Sequence, residues 1–171
     1  KGVTSRPIAW VMALIYFMTF GGFVALSIYL PTLLKENFGL LPADATLRVL
    51  GFVVVAVGAR SIGGWLSDQN GGAPVLMVAL IGVAVFALGL TSSSMIVFTF
   101  GALGSAAMLG AGSGALFKLV PEYFQRDIGT VAGFIGMAGG LGAFFPPILL
   151  AVIKIQTGSY AWGFLLLSAF A

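Results

Sequence analysis

Long runs without charge, separated by short polar stretches, set the pattern of this chain. Pro7 to Leu34 holds no charged residue, which exceeds the ~20 residues that a helix needs to cross a bilayer. Pro31 lies near its end, where a helix stop or kink is tolerated. Lys35 to Arg48 (KENFGLLPADATLR) reads as a polar loop containing Pro and Gly. The next apolar run, Val49 to Ser67, contains a single charge, Arg60. Gln69 to Phe117 is again uncharged; it is too long for one span and suits two, with Thr91-Ser92-Ser93-Ser94 marking the turn. Lys118 to Asp127 (KLVPEYFQRD) gathers the next charges, and Pro121 is placed to end the fourth helix. Ile128 to Ile153 makes a fifth span, which Pro146-Pro147 is expected to break or bend in its second half. Tyr160 to Ala171 begins a sixth, whose helical residues reach only roughly 18 Å into an apolar core ~30 Å thick. The spans are therefore expected at about 8–34, 48–67, 74–90, 95–119, 128–153 and, incomplete, 160–171, in an all-α polytopic membrane protein.

Composition agrees. The 171 residues are 60% hydrophobic and 8% charged, against about 25% charged in soluble domains. A net charge of +3 with no basic cluster argues against nucleic acid as a partner. With neither Cys nor His, the sequence offers no disulfide framework and no thiolate or imidazole metal site, and no cofactor is expected. Starting at Lys1 and stopping inside an apolar run, the chain is expected to be a fragment of something longer. Lys1, Arg6, Lys118 and Arg126 fall on one face and Lys35, Arg48 and Lys154 on the other, so the positive-inside rule leans to a cytoplasmic start.

Arg60 is the chemically informative residue. A cation inside a spanning helix costs about 2.5–3.5 kcal/mol on insertion scales, so it normally faces a protein interior or a watery cavity. Val53, Ala56, Gly63, Gly64 and Ser67 share its helical face, so small and polar residues accompany the charge. On the first span, Tyr16, Phe20, Phe23 and Ser27 form an aromatic stripe with a hydroxyl at each end, which periodicity alone would assign to lipid-facing packing. In span five Gly129, Gly133, Gly136 and Gly140 fall on one face, to which Gly139 and Gly142 add; span four carries Gly101, Gly104 and Gly110-Ala111-Gly112-Ser113-Gly114. Such residues let helices touch backbone to backbone, or expose backbone to a ligand. The acids Glu36, Asp44, Asp68, Glu122 and Asp127 all sit in loops or at helix ends, so this portion supplies no mid-membrane proton relay. No Ser/His/Asp, paired-carboxylate or HExxH arrangement is present, and an enzyme is not expected.

Gly64-Trp65-Leu66-Ser67-Asp68-Gln69-Asn70-Gly71 resembles the loop motif G-x-L-[AS]-D-x-x-G of the major facilitator superfamily, whose transporters are built from two six-helix halves. The basic residues usual beside the Asp and after the last Gly are replaced by Gln69 and Gly72, which argues against a salt-bridging role for the loop. The resemblance assigns Asp68, with Gly64, Gly71, Gly133 and Gly140, gating or structural roles. Within the superfamily the whole chain most resembles the C-terminal half of a nitrate/nitrite porter. That rests on Gly58–Gly64 (GARSIGG), Gly110–Phe124 (GAGSGALFKLVPEYF) and Ala132–Pro147 (AGFIGMAGGLGAFFPP), the last similar to the family's nitrate signature. The family's second-span arginine grips the anion and its first span carries a Tyr and a Phe one turn apart. The resemblance therefore implies a substrate site at Arg60, Tyr16 and Phe20, with Gly136, Gly139 and Ser113 beside it; Ser113 stands where many relatives have Asn. It further implies nitrate or nitrite transport by alternating access, a partnering N-terminal half and a multi-pass location in a bacterial inner membrane. Two other readings stay open: a facilitator for another small organic anion, or a non-transporting membrane subunit or sensor in which Arg60 is merely structural.

Overall fold

The computed structural model describes residues 5–170; residues 1–4, Lys1 among them, and Ala171 lie outside. Among these residues the chain forms six α-helices and no strand: α1 (Pro7–Phe38), α2 (Pro42–Asn70), α3 (Gly72–Gly89), α4 (Met95–Tyr123), α5 (Ile128–Thr157) and α6 (Ala161–Phe170). The first five are long and apolar enough to cross a membrane.

The helices outrun their apolar cores. The expected loop at Lys35–Arg48 shrinks to Gly39–Leu41, because α1 continues through its charged end and α2 starts at Pro42. Charge bars a residue from hydrocarbon but not from a helix, so the polar residues mark where lipid ends rather than where the helix does. The stop is Gly39, left-handed at φ 64°, whose N–H bonds the Lys35 carbonyl at 3.0 Å while Leu40 N–H reaches Leu34 at 3.4 Å. Pro42 then opens α2 at the first-turn position where its missing N–H costs nothing. Neither Pro121 nor Pro146-Pro147 ends its helix: α4 runs on to Tyr123 and α5 to Thr157. At the level of these prolines the Tyr29 hydroxyl of α1 donates to the Pro147 carbonyl at 2.8 Å.

Two helix pairs approach backbone to backbone. Along α2 and α4, a side chain at Gly63 would overlap the Ala111 backbone, and one at Gly110 would overlap Ala56. Along α1 and α5, Gly21 meets Gly142, which also lies against Phe17. Only glycine permits that separation. The glycines of α5 divide between two sides, contrary to the single face read from the sequence. Gly139 and Gly142 press on α1, whereas Gly129, Gly133, Gly136 and Gly140 are exposed, and a methyl group added at any of them would meet nothing within 4 Å.

Each pair is also tied at one end by an ion pair. Lys118 of α4 contacts Asp68 of α2, and Lys154 of α5 meets Glu36 of α1 at 2.7 Å. The two ties lie at opposite ends of the bundle, given the alternating helix directions. Asp68 thus does form a salt bridge; its cation comes from α4, fifty residues away, instead of from the loop.

Candidate functional site

Arg60 sits on the stretch of α2 that lies backbone to backbone against α4. A side chain at Gly114 would overlap the Arg60 carbonyl oxygen and lie 2.9 Å from the Gly64 nitrogen, so α4 holds this turn of α2 from behind. Ala56, Gly63 and Ser67 are buried along the same contact, and the Ser67 hydroxyl is spent on the Gly63 carbonyl at 2.7 Å. The backbone is fixed, and the long side chain leaves toward α1.

There its Nη2 donates to the Tyr16 hydroxyl at 3.5 Å, the outer limit of hydrogen-bond geometry. Its Cζ lies 5.4 Å from the centre of the Phe117 ring, within cation–π range. Among the described residues no carboxylate forms an ion pair with it. The charge is therefore cushioned but not neutralised, and the residue keeps an exposed surface on this six-helix unit.

The aromatic stripe of α1 turns inward rather than to lipid. Tyr16 is buried, its ring stacked on Phe20 at 5.4 Å and 19°, with Phe117 edge-on at 4.9 Å and 85°. Gly139 of α5 backs the other side, since a methyl there would run into the Tyr16 ring. Beside Arg60 lies a cleft of about 50 Å³ lined by Phe20, Phe23, Ala56, Val57, Arg60, Leu109, Gly110 and Ser113. Ser113 donates its proton to the Leu109 carbonyl at 2.8 Å, so in this arrangement it turns only lone pairs toward the cleft. A larger crevice of about 240 Å³ between α1, α5 and α6 is lined wholly by apolar side chains and glycine, with Phe17, Met18, Leu149 and Phe164 among them, and it lacks any group that would hold a charged ligand.

Of the residues singled out from sequence, Arg60, Tyr16, Phe20 and Ser113 converge here, and Gly139 supports Tyr16 from outside the cleft. Gly136, Gly133 and Gly140 face away, and Gly64, although next to the Gly114 contact, has open space at its own Cβ position. Gly71, at φ 85°, makes the one-residue turn between α2 and α3, and Asp68 lies just before it. Sequence reading missed Phe117 and Lys118. Both stand within GAGSGALFKL, and Phe117 is one helical turn past Ser113, which is the signal that it shares the face.

Comparison with known proteins gives the arrangement its relatives. The chain is 45% identical over its whole length to a "Nitrite extrusion protein" of Bacillus subtilis. It is 41% identical over 99% of its length to a "Probable nitrate transporter NarT" of Staphylococcus haemolyticus. With a "Probable nitrate/nitrite transporter NarK2" of Mycobacterium tuberculosis it shares 37% over its full length. In each case it spans 44% of the relative, a little under half of the longer protein. The Major Facilitator Superfamily model matches residues 12–171, and with its five apolar helices the chain belongs to that family of multi-pass membrane transporters.

Proposed function

We propose that this six-helix unit is one half of a nitrate and/or nitrite carrier that works by alternating access, with Arg60 gripping the anion. The observation that carries the reading is an intramembrane guanidinium with no carboxylate partner, turned toward a tyrosine hydroxyl beside a small aromatic-walled cleft. A planar guanidinium meets two oxygens of a flat anion with parallel N–H bonds, whereas an ammonium offers a point charge. Size supports the match. The cleft, about 50 Å³ and open on one side, suits a small ion rather than a large organic ligand. Phe20 supplies an apolar wall for the anion's face, and Tyr16 holds the guanidinium in place and can turn its own proton outward. The names of the relatives point to the same substrate class. A second six-helix half would close the cleft from its open side and let the two units rock about the bound anion.

The test is Arg60→Lys in the intact carrier, reconstituted into liposomes. Nitrate uptake is expected to fall to near background while insertion and yield are unchanged; uptake at the parent rate would refute the grip. Competition by unlabelled nitrate against a labelled carboxylate then separates this reading from a carrier of small organic anions.

A further inference from the structure

The glycines of α5 differ in what they face. Gly129, Gly133, Gly136 and Gly140 have open space where a side chain would stand, but a methyl at Gly139 would lie 2.5 Å from Tyr16 Cδ1 and closer still to Cε1. Ordinary carbon contacts need about 3.5 Å, so the ring would have to move by on the order of 1 Å. It has little room to do so. Phe20 stacks on it at 5.4 Å and 19°, Phe117 meets it edge-on at 4.9 Å and 85°, and Tyr16 is buried. A retreat of α5 instead would undo the close approach three residues on, where Gly142 lies against Gly21 and the Phe17 backbone.

The position of this ring matters at its far end. A phenol is one rigid plane, so a shift at Cε1 is passed to the hydroxyl two bonds away. That hydroxyl accepts the Arg60 Nη2 donor at 3.5 Å, a bond with no slack. Moved away, the hydroxyl loses Arg60. Moved closer, it drives the guanidinium off its place over the Phe117 ring, 5.4 Å from the centre. We infer that Gly139 is a positioning residue for the anion site: its missing side chain fixes where the Tyr16 ring sits and, through the hydroxyl, where the guanidinium of Arg60 is held. This deepens the reading of Arg60 as the anion grip and rests on it. Gly139 itself is not part of the cleft wall and acts only through Tyr16.

The experiment uses the intact carrier in detergent, with nitrate Kd taken from titration of intrinsic fluorescence and thermal unfolding as the check on the fold. Gly139→Ala is expected to raise Kd about five-fold, the loss of one modest hydrogen bond. Tyr16→Phe, which keeps the ring and needs no repacking, is expected to do the same. The decisive measurement combines them: the double variant is expected to bind within about two-fold of Tyr16→Phe alone. The methyl meets ring carbons that phenylalanine retains, so a merely structural effect of Gly139→Ala would persist undiminished in the Tyr16→Phe background and overturn the positioning role. Should Gly139→Ala fail to fold, Tyr16→Phe decides: parental affinity there overturns the inference, and weakened binding supports it. Arg60→Lys, run beside them, keeps the two ideas apart. Parental affinity in that variant refutes the grip itself, whereas lost binding there with parental affinity in Gly139→Ala refutes only the role of Gly139.

Discussion

Gly114→Ala puts the close approach of α2 and α4 to a direct test. In an exposed helix interior this change stabilises by about 1 kcal/mol, because alanine is the better helix former. Here the new methyl would overlap the Arg60 carbonyl oxygen and lie 2.9 Å from the Gly64 nitrogen. Ordinary contacts need about 3.5 Å, so α2 and α4 must part by on the order of 1 Å at the level of Arg60. Overpacking of this kind costs about 1–3 kcal/mol, which offsets or exceeds the propensity gain. The net expectation is neutral to about 2 kcal/mol destabilising, with a disproportionate functional loss because the displaced turn bears the guanidinium. Two assays on the purified intact carrier separate these effects: thermal unfolding in detergent, and nitrate affinity by titration of intrinsic fluorescence. A small drop in midpoint with clearly weakened binding is expected. A raised midpoint with parental affinity would refute the claim that the two backbones touch there.

Phe117→Ala removes the ring under Arg60; the lost cation–π contact, about 0.5–1 kcal/mol, is expected to weaken nitrate binding roughly two- to fivefold, measured by the same titration. Asp68→Asn breaks the pair with Lys118, but both side chains are about half exposed, so unfolding stability is expected to change by less than about 1 kcal/mol. Any transport defect of Asp68→Lys that the double exchange with Lys118→Asp restores in a flux assay would then be due to the pairing and not to folding.

Most of the architecture was legible because hydrocarbon is an unforgiving solvent. The uncharged runs had to be spans, and the positions of Lys35, Arg48, Lys118 and Lys154 located their limits. What failed was the equation of span with helix: Gly39, not Lys35, stops α1, and that stop is a backbone conformation that hydropathy does not encode. At the candidate site, the intramembrane charge singled out Arg60, whereas Tyr16 and Phe20 came from the family resemblance, since periodicity alone assigned their stripe to lipid. Phe117 stayed hidden because an apolar residue on an apolar helix carries no mark of which neighbour it faces. The glycines of α5 misled for a related reason. Positions 136 and 139 are three apart and nominally share a side, yet the α1 contact falls on the Gly139–Gly142 edge and leaves Gly136 in the open. Lys118 was overlooked as the partner of Asp68 because proximity was sought within the loop, whereas the fold supplies the cation from another helix.

The two glycine-welded helix pairs behave as a pair of stiff beams, each riveted at one end by its ion pair. Arg60 and Phe117 ride on the α2–α4 beam; Tyr16, Phe20 and the glycine behind Tyr16 ride on the α1–α5 beam. The long 3.5 Å link between guanidinium and phenol therefore bridges the seam, and a slip of a few tenths of an ångström between beams alters it before any welded contact yields. On the proposed reading of Arg60, an anion settling between those two side chains would be held by both beams at once and would couple their positions.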